Sequence, residues 1–76
     1  PGVHVSRIDT EVLALEQRNF AYVPGQFQGK QAMVHAGPSG VYFTWRVLFE
    51  RQGKSFGLWL MLPGDAMEHP VMPPPQ

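Results

Sequence analysis

The residues able to do chemistry are few and widely spaced. His4, His35 and His69 stand with Asp65 and Glu68 as the candidate metal ligands. A metal site on a helix uses ligands at i, i+4, which project from one face. No histidine pair has that spacing, and Glu68 and His69 are neighbours that project apart. A site from His35, Asp65 and His69 would need convergence of distant segments, so three surface histidines are the simpler expectation. The chain has no cysteine, which excludes disulfides, cysteine-ligated zinc and a thiol nucleophile. Ser6, Ser39 and Ser55 lack the context of a nucleophile elbow: Ser39 sits in a Pro-Ser-Gly turn and Ser55 opens a strand-like run. Glu50 and Glu68 could be imagined as an acid–base pair, but Glu50 borders a turn and meets solvent there. Gly37-Pro38-Ser39-Gly40 is glycine-rich, yet it lacks the lysine and the following helix of a phosphate loop. The expectation is a non-enzymatic protein with no cofactor and no metal.

A second group of residues could bind rather than react: Met33, His35, Tyr42, Arg46, Trp59 and Met61. Arginine, tryptophan, tyrosine and methionine are enriched at interface cores, where lysine and glutamate are depleted. The elements that position these residues come from the stretch 31–62, three strand-like runs separated by two turns.

Gln52-Gly53 lies between runs rich in β-branched and aromatic residues, the pattern of a tight hairpin. With those two residues as the loop, Arg51 faces Lys54, Phe49 faces Phe56, Val47 faces Leu58, Trp45 faces Leu60 and Phe43 faces Leu62. One face of the ribbon is then apolar throughout, and a one-residue slip would destroy the match because side chains alternate with a period of two. At the first turn a Pro38-Ser39 loop is excluded, since proline cannot take the positive φ it would need. A four-residue loop over 37–40 is acceptable and pairs Ala36 with Val41, Val34 with Phe43 and Ala32 with Trp45. The apolar face, face A, holds Ala32, Val34, Phe43, Trp45, Val47, Phe49, Phe56, Leu58, Leu60 and Leu62. Face B holds Gln31, Met33, His35, Tyr42, Thr44, Arg46, Leu48, Trp59 and Met61. Arg46 lies opposite Trp59, within cation–π reach.

Upstream, residues 3–8 alternate as a short edge strand, with His4 facing solvent. Asp9 can cap a helix over 10–18, which Asn19 could end; alternation over 12–15 keeps a strand open there. Residues 19–23 are strand-like, and Val23-Pro24-Gly25-Gln26 has the signature of a type II turn. The spacing predicts a mainly β fold, an antiparallel meander with strands at 31–36, 41–50 and 55–62. One or two N-terminal strands and a short helix near 10–18 complete an open sheet or a small barrel.

Seventy-six residues allow one domain, expected over 1–64, followed by a proline-rich extended tail or linker over 65–76. A domain this small buries only roughly 60% of its unfolded surface and is marginal alone, which favours tight packing or a partner subunit. The start at Pro1-Gly2 without methionine suggests an excised or processed piece. Six basic residues balance six acidic ones, so no field for duplex DNA or an anionic membrane is expected, and no apolar run is long enough to span a bilayer. Localisation stays open, with the cytoplasm slightly favoured. Two functions then compete. In the first, face B binds a protein partner or a second copy of the chain. In the second, Tyr42 and Trp59 stack single-stranded nucleic acid beside Arg46. A third possibility is that face B is simply a second core covered by other segments.

Overall fold

A computed structural model of the chain describes residues 4–63, and among these the side chains of His4 and Pro63 are left aside. Five strands and one helix follow in the order β1 (His4–Arg7), α1 (Thr10–Asn19), β2 (Val23–Phe27), β3 (Lys30–Ser39), β4 (Tyr42–Arg51) and β5 (Lys54–Pro63). They form one antiparallel, open sheet in the order β1-β5-β4-β3-β2. The mainly β expectation holds, and of its two forms the sheet takes the open one. The tail expected over 65–76, with Asp65, Glu68 and His69, lies outside the described residues. Among the described residues no helix is long and apolar enough to cross a membrane.

The β4–β5 hairpin has the register that its sequence dictates, from Arg51 opposite Lys54 to Phe43 opposite Leu62. Gln52 and Gly53 both have positive φ, 55° and 74°, the requirement of a two-residue I′ turn. Glycine adopts this conformation freely and a β-branched residue does not. Gly53→Val should therefore lower stability by about 1–2 kcal/mol while Gly53→Asn is tolerated. Urea midpoints measure the difference, and equal midpoints for the two variants would contradict the turn.

Two expectations about the turns need correction, and of the strand-like run 19–23 only Val23 is strand, because α1 extends to Asn19. The β3–β4 loop is not the four residues 37–40 but Gly40-Val41, with Gly40 at φ 62° and Ser39 opposite Tyr42. Val34 therefore meets Val47 instead of Phe43, and Ala36 meets Trp45 instead of Val41. Pro38 is accommodated inside β3, opposite Phe43, because β2 pairs with β3 only as far as Val34 and leaves an edge beyond it. The shift is an even number of residues, so every side chain keeps its face. The second correction is Val23-Pro24-Gly25-Gln26. It is strand, not turn; the chain reverses one step later at Gln28-Gly29, a second pair with positive φ, 54° and 75°. Pro24 fits because β2 is an edge strand.

Face A carries the core. One row crosses all five strands: Val5, Leu58, Val47, Val34 and Val23 in register. Leu58 and Val47 at its centre are fully buried, while Val5 and Val23 at the two edges are exposed. Phe27 and Ala32 complete the buried cluster. Phe27 reaches Phe49 at 5.0 Å between ring centroids, and Phe49 stacks on Phe56 at 5.4 Å. The Arg51 guanidinium caps Phe49 at 4.8 Å and donates to the Phe27 carbonyl.

The topology places the helix. β1 and β2 are consecutive strands at opposite edges of the sheet, so the connection between them must cross it. Asp9 caps α1 as expected, its Oδ1 accepting from the Val12 amide at 2.9 Å. The helix runs one residue beyond the expected 10–18 and stops at Phe20, which is extended. Its sheet-facing stripe is Leu13, Glu16 and Phe20, the spacing of one helical face. No residue of the helix is buried, and Val12 and Leu15 face outward.

Candidate functional site

Face B is divided into three zones by α1. At its centre, a row on β3, β4 and β5 brings His35, Arg46 and Trp59 side by side. The helix lowers Glu16 onto this row. The Arg46 Nη1 donates to Glu16 Oε1 at 3.1 Å and to Oε2 at 3.3 Å, and Trp59 Nε1 donates to Oε1 at 3.2 Å. The Tyr22 hydroxyl donates to the same oxygen at 2.6 Å. One carboxylate therefore accepts from three side chains on β4, β5 and the α1–β2 connection. Burial, and then the hydrogen bond and charge of Glu16, raise the Tyr22 pKa well above the ordinary tyrosine range. The phenol thus stays a donor.

Arg46 lies 3.8 Å from the centroid of the Phe20 ring. The cation–π partner is thus Phe20, not the expected Trp59; Arg46 and Trp59 are cross-strand neighbours joined through Glu16. His35 packs between aromatics, 5.4 Å from Phe20 and 6.0 Å from Tyr22. Its Nδ1 lies 3.0 Å from the Ala21 carbonyl, which can only accept, so that nitrogen carries the proton. Trp59 fits by virtue of Gly57. A Cβ at Gly57 would lie 2.5 Å from the indole ring, so the ring lies where only a glycine leaves space.

The second zone is one end of face B. Beneath the helix a row of Pro24, Met33, Leu48, Gly57 and Ser6 crosses the sheet. Between it and α1 opens a groove of about 730 Å³, lined by Met33 and Leu48 of the sheet and Leu13 of the helix, with Gln17, Gln26, Gln31 and Glu50 around them.

The third zone is the opposite end, where the helix does not reach. Tyr42 and Met61 stand 45% and 56% exposed there, and Val41 forms the tip of the turn. Thr44 Oγ1 on this face and Trp45 Nε1 on face A are buried and have no hydrogen-bond partner among the described residues.

The six residues singled out from sequence are thus not one surface. His35, Arg46 and Trp59 belong to the Glu16 cluster, Met33 floors the groove, and Tyr42 and Met61 remain open. Sequence reasoning missed Glu16, Phe20 and Tyr22. The one available signal was the helical spacing that sets Glu16 among Leu13 and Phe20, a lone carboxylate in an otherwise apolar stripe. Among the described residues no group of three or more histidines and carboxylates comes together as a metal site would need. No family model, curated protein or solved structure matches the chain.

Proposed function

We propose that this is a small non-enzymatic interaction or assembly domain that binds a protein partner or a second copy of itself through the uncovered end of face B. The observation that carries the reading is the exposure of Tyr42 and Met61, diagonal neighbours on β4 and β5 at the end that α1 leaves open. Aromatic side chains and methionine are enriched at interface cores, where buried aromatics act as anchors.

Single-strand binding draws less support from the geometry. Its cation, Arg46, is neutralised by Glu16, and the Trp59 indole is tied to the same carboxylate. Phosphate contacts normally dominate such binding, and Tyr42 alone would have to supply the stacking.

Sedimentation velocity over a range of concentrations tests the reading, with a labelled oligo-dT arm in parallel. Replacing Tyr42 and Met61 together by serine should weaken self-association about tenfold or more, as loss of interface anchors does, with little dependence on salt. A strictly monomeric wild type would remove self-association and leave a different partner. Affinity for oligo-dT that falls steeply with salt would replace the proposal by single-strand binding.

A further inference from the structure

We propose that the groove between α1 and the sheet is a second binding site, for a short extended polypeptide segment with apolar side chains and a basic group but no carboxylate. It lies at the other end of face B from Tyr42 and Met61, so it stands apart from the assembly surface proposed above. It is an open groove, and its volume of about 730 Å³ has room for a short segment, ligand clefts being roughly 300–1,000 Å³.

The lining selects the ligand class. Met33 and Leu48 of the sheet and Leu13 of α1 offer an apolar lining. Gln17, Gln26 and Gln31 stand at the rim, and each side-chain amide both donates and accepts. A polypeptide backbone presents that same pair of functions at every residue and can pair with these exposed amides, which a hydrocarbon chain would leave to water. Charge decides the rest. The one charged lining group is Glu50, which is exposed and forms no ion pair among the described residues. The nearby cations Arg51 and Lys54 pair in register one position further along the hairpin and so project to face A. A phosphate, a nucleic acid or an acidic peptide would meet repulsion from Glu50 without a compensating cation in the lining. A basic side chain would meet a carboxylate at the mouth of the groove.

The test uses two terminally capped, fluorescein-labelled octapeptides of alternating leucine and serine, one with a central lysine and one with glutamate in its place. Fluorescence polarisation at low salt should give a preference for the lysine probe of roughly threefold to fivefold, the effect of one exposed ion pair. Glu50→Lys should invert the preference, and Gln17→Ala should weaken both probes. Both residues are exposed, and a thermal melt matching the wild type verifies that each variant is folded. No binding of either probe, or equal binding unchanged by Glu50→Lys, would overturn the proposal. Loss of binding in the Tyr42 and Met61 variants but not in Glu50→Lys would also overturn it, because the peptide would then lie on the open end. Failure here leaves the assembly surface untouched, since sedimentation of the Tyr42 and Met61 variants reads that surface alone.

Discussion

Phe27→Ala should bring the domain to the edge of unfolding at 37 °C. Phe27 is buried at the end of β2, packs against Phe49 at 5.0 Å and belongs to the core cluster with Ala32, Val47 and Leu58. Truncating a buried phenylalanine costs about 3–5 kcal/mol, the sum of lost transfer energy and the cavity left behind. A small domain has a total stability near the low end of roughly 5–15 kcal/mol, so the loss is comparable with the whole. The cavity cannot be refilled easily. Phe27 comes from an edge strand, and its neighbours Phe49 and Phe56 are already committed to a stack at 5.4 Å. Equilibrium urea unfolding measures the change. A loss of less than about 1 kcal/mol would mean that β2 is not docked on face A.

That position was illegible in the sequence for a definite reason. Val23-Pro24-Gly25 has the composition of a turn, and composition outweighed the possibility of an edge strand, where proline and glycine are tolerated. The true turn at Gln28-Gly29 repeats the Gln-Gly-Lys of residues 52–54, and both pairs take positive φ. The second copy is legible because long apolar runs flank it. The first is not, because its incoming strand is only five residues long and interrupted by Pro24 and Gly25. A similar bias displaced the β3–β4 register. Gly37 and Pro38 look like loop, but β3 has no outer neighbour there and can carry them. The division into two faces survived both errors because it rests on alternation, which an even shift preserves. The opposition of Arg46 and Trp59 followed from the hairpin alone. Their meeting with Glu16 did not, since 30 and 43 residues separate them in sequence. The strand order, with β1 and β2 at opposite edges, sends α1 across the sheet, and the contacts of Glu16 and Phe20 place it over face B.

Glu16→Ala should produce the second large effect, and a spectroscopic signature with it. The substitution removes the acceptor of Arg46, Trp59 and Tyr22 at once. Breaking a buried ion pair from one side costs about 3–5 kcal/mol, because the remaining charge is left desolvated and unpaired. The Arg46 and Glu16 side chains retain 20% and 15% exposure, so about 3 kcal/mol is expected, the lower end of that range. A change of this size lowers the Tm of a domain this small by more than about 10 °C. Because α1 has no buried residue of its own, the loss should fall first on the helix. Amides of residues 10–19 should exchange faster than those of β4 and β5, and the tryptophan emission should shift to the red as Trp59 meets water. Glu16→Gln keeps an acceptor oxygen and should fall between wild type and alanine. Replacing Arg46 by methionine in the alanine background should restore part of the stability, since the unpaired charge is then gone. Alkaline pH probes the same contact. The folded Tyr22 pKa lies above its unfolded value of about 10, so its contribution is intact below that pH and is lost as pH rises beyond it. In Glu16→Ala the hydrogen bond and charge that help to raise this pKa are absent, so the loss of stability above about pH 10 should be shallower. A Glu16→Ala protein with unchanged Tm and helix exchange rates would show that α1 is held by its apolar contacts at Leu13 and Phe20 instead.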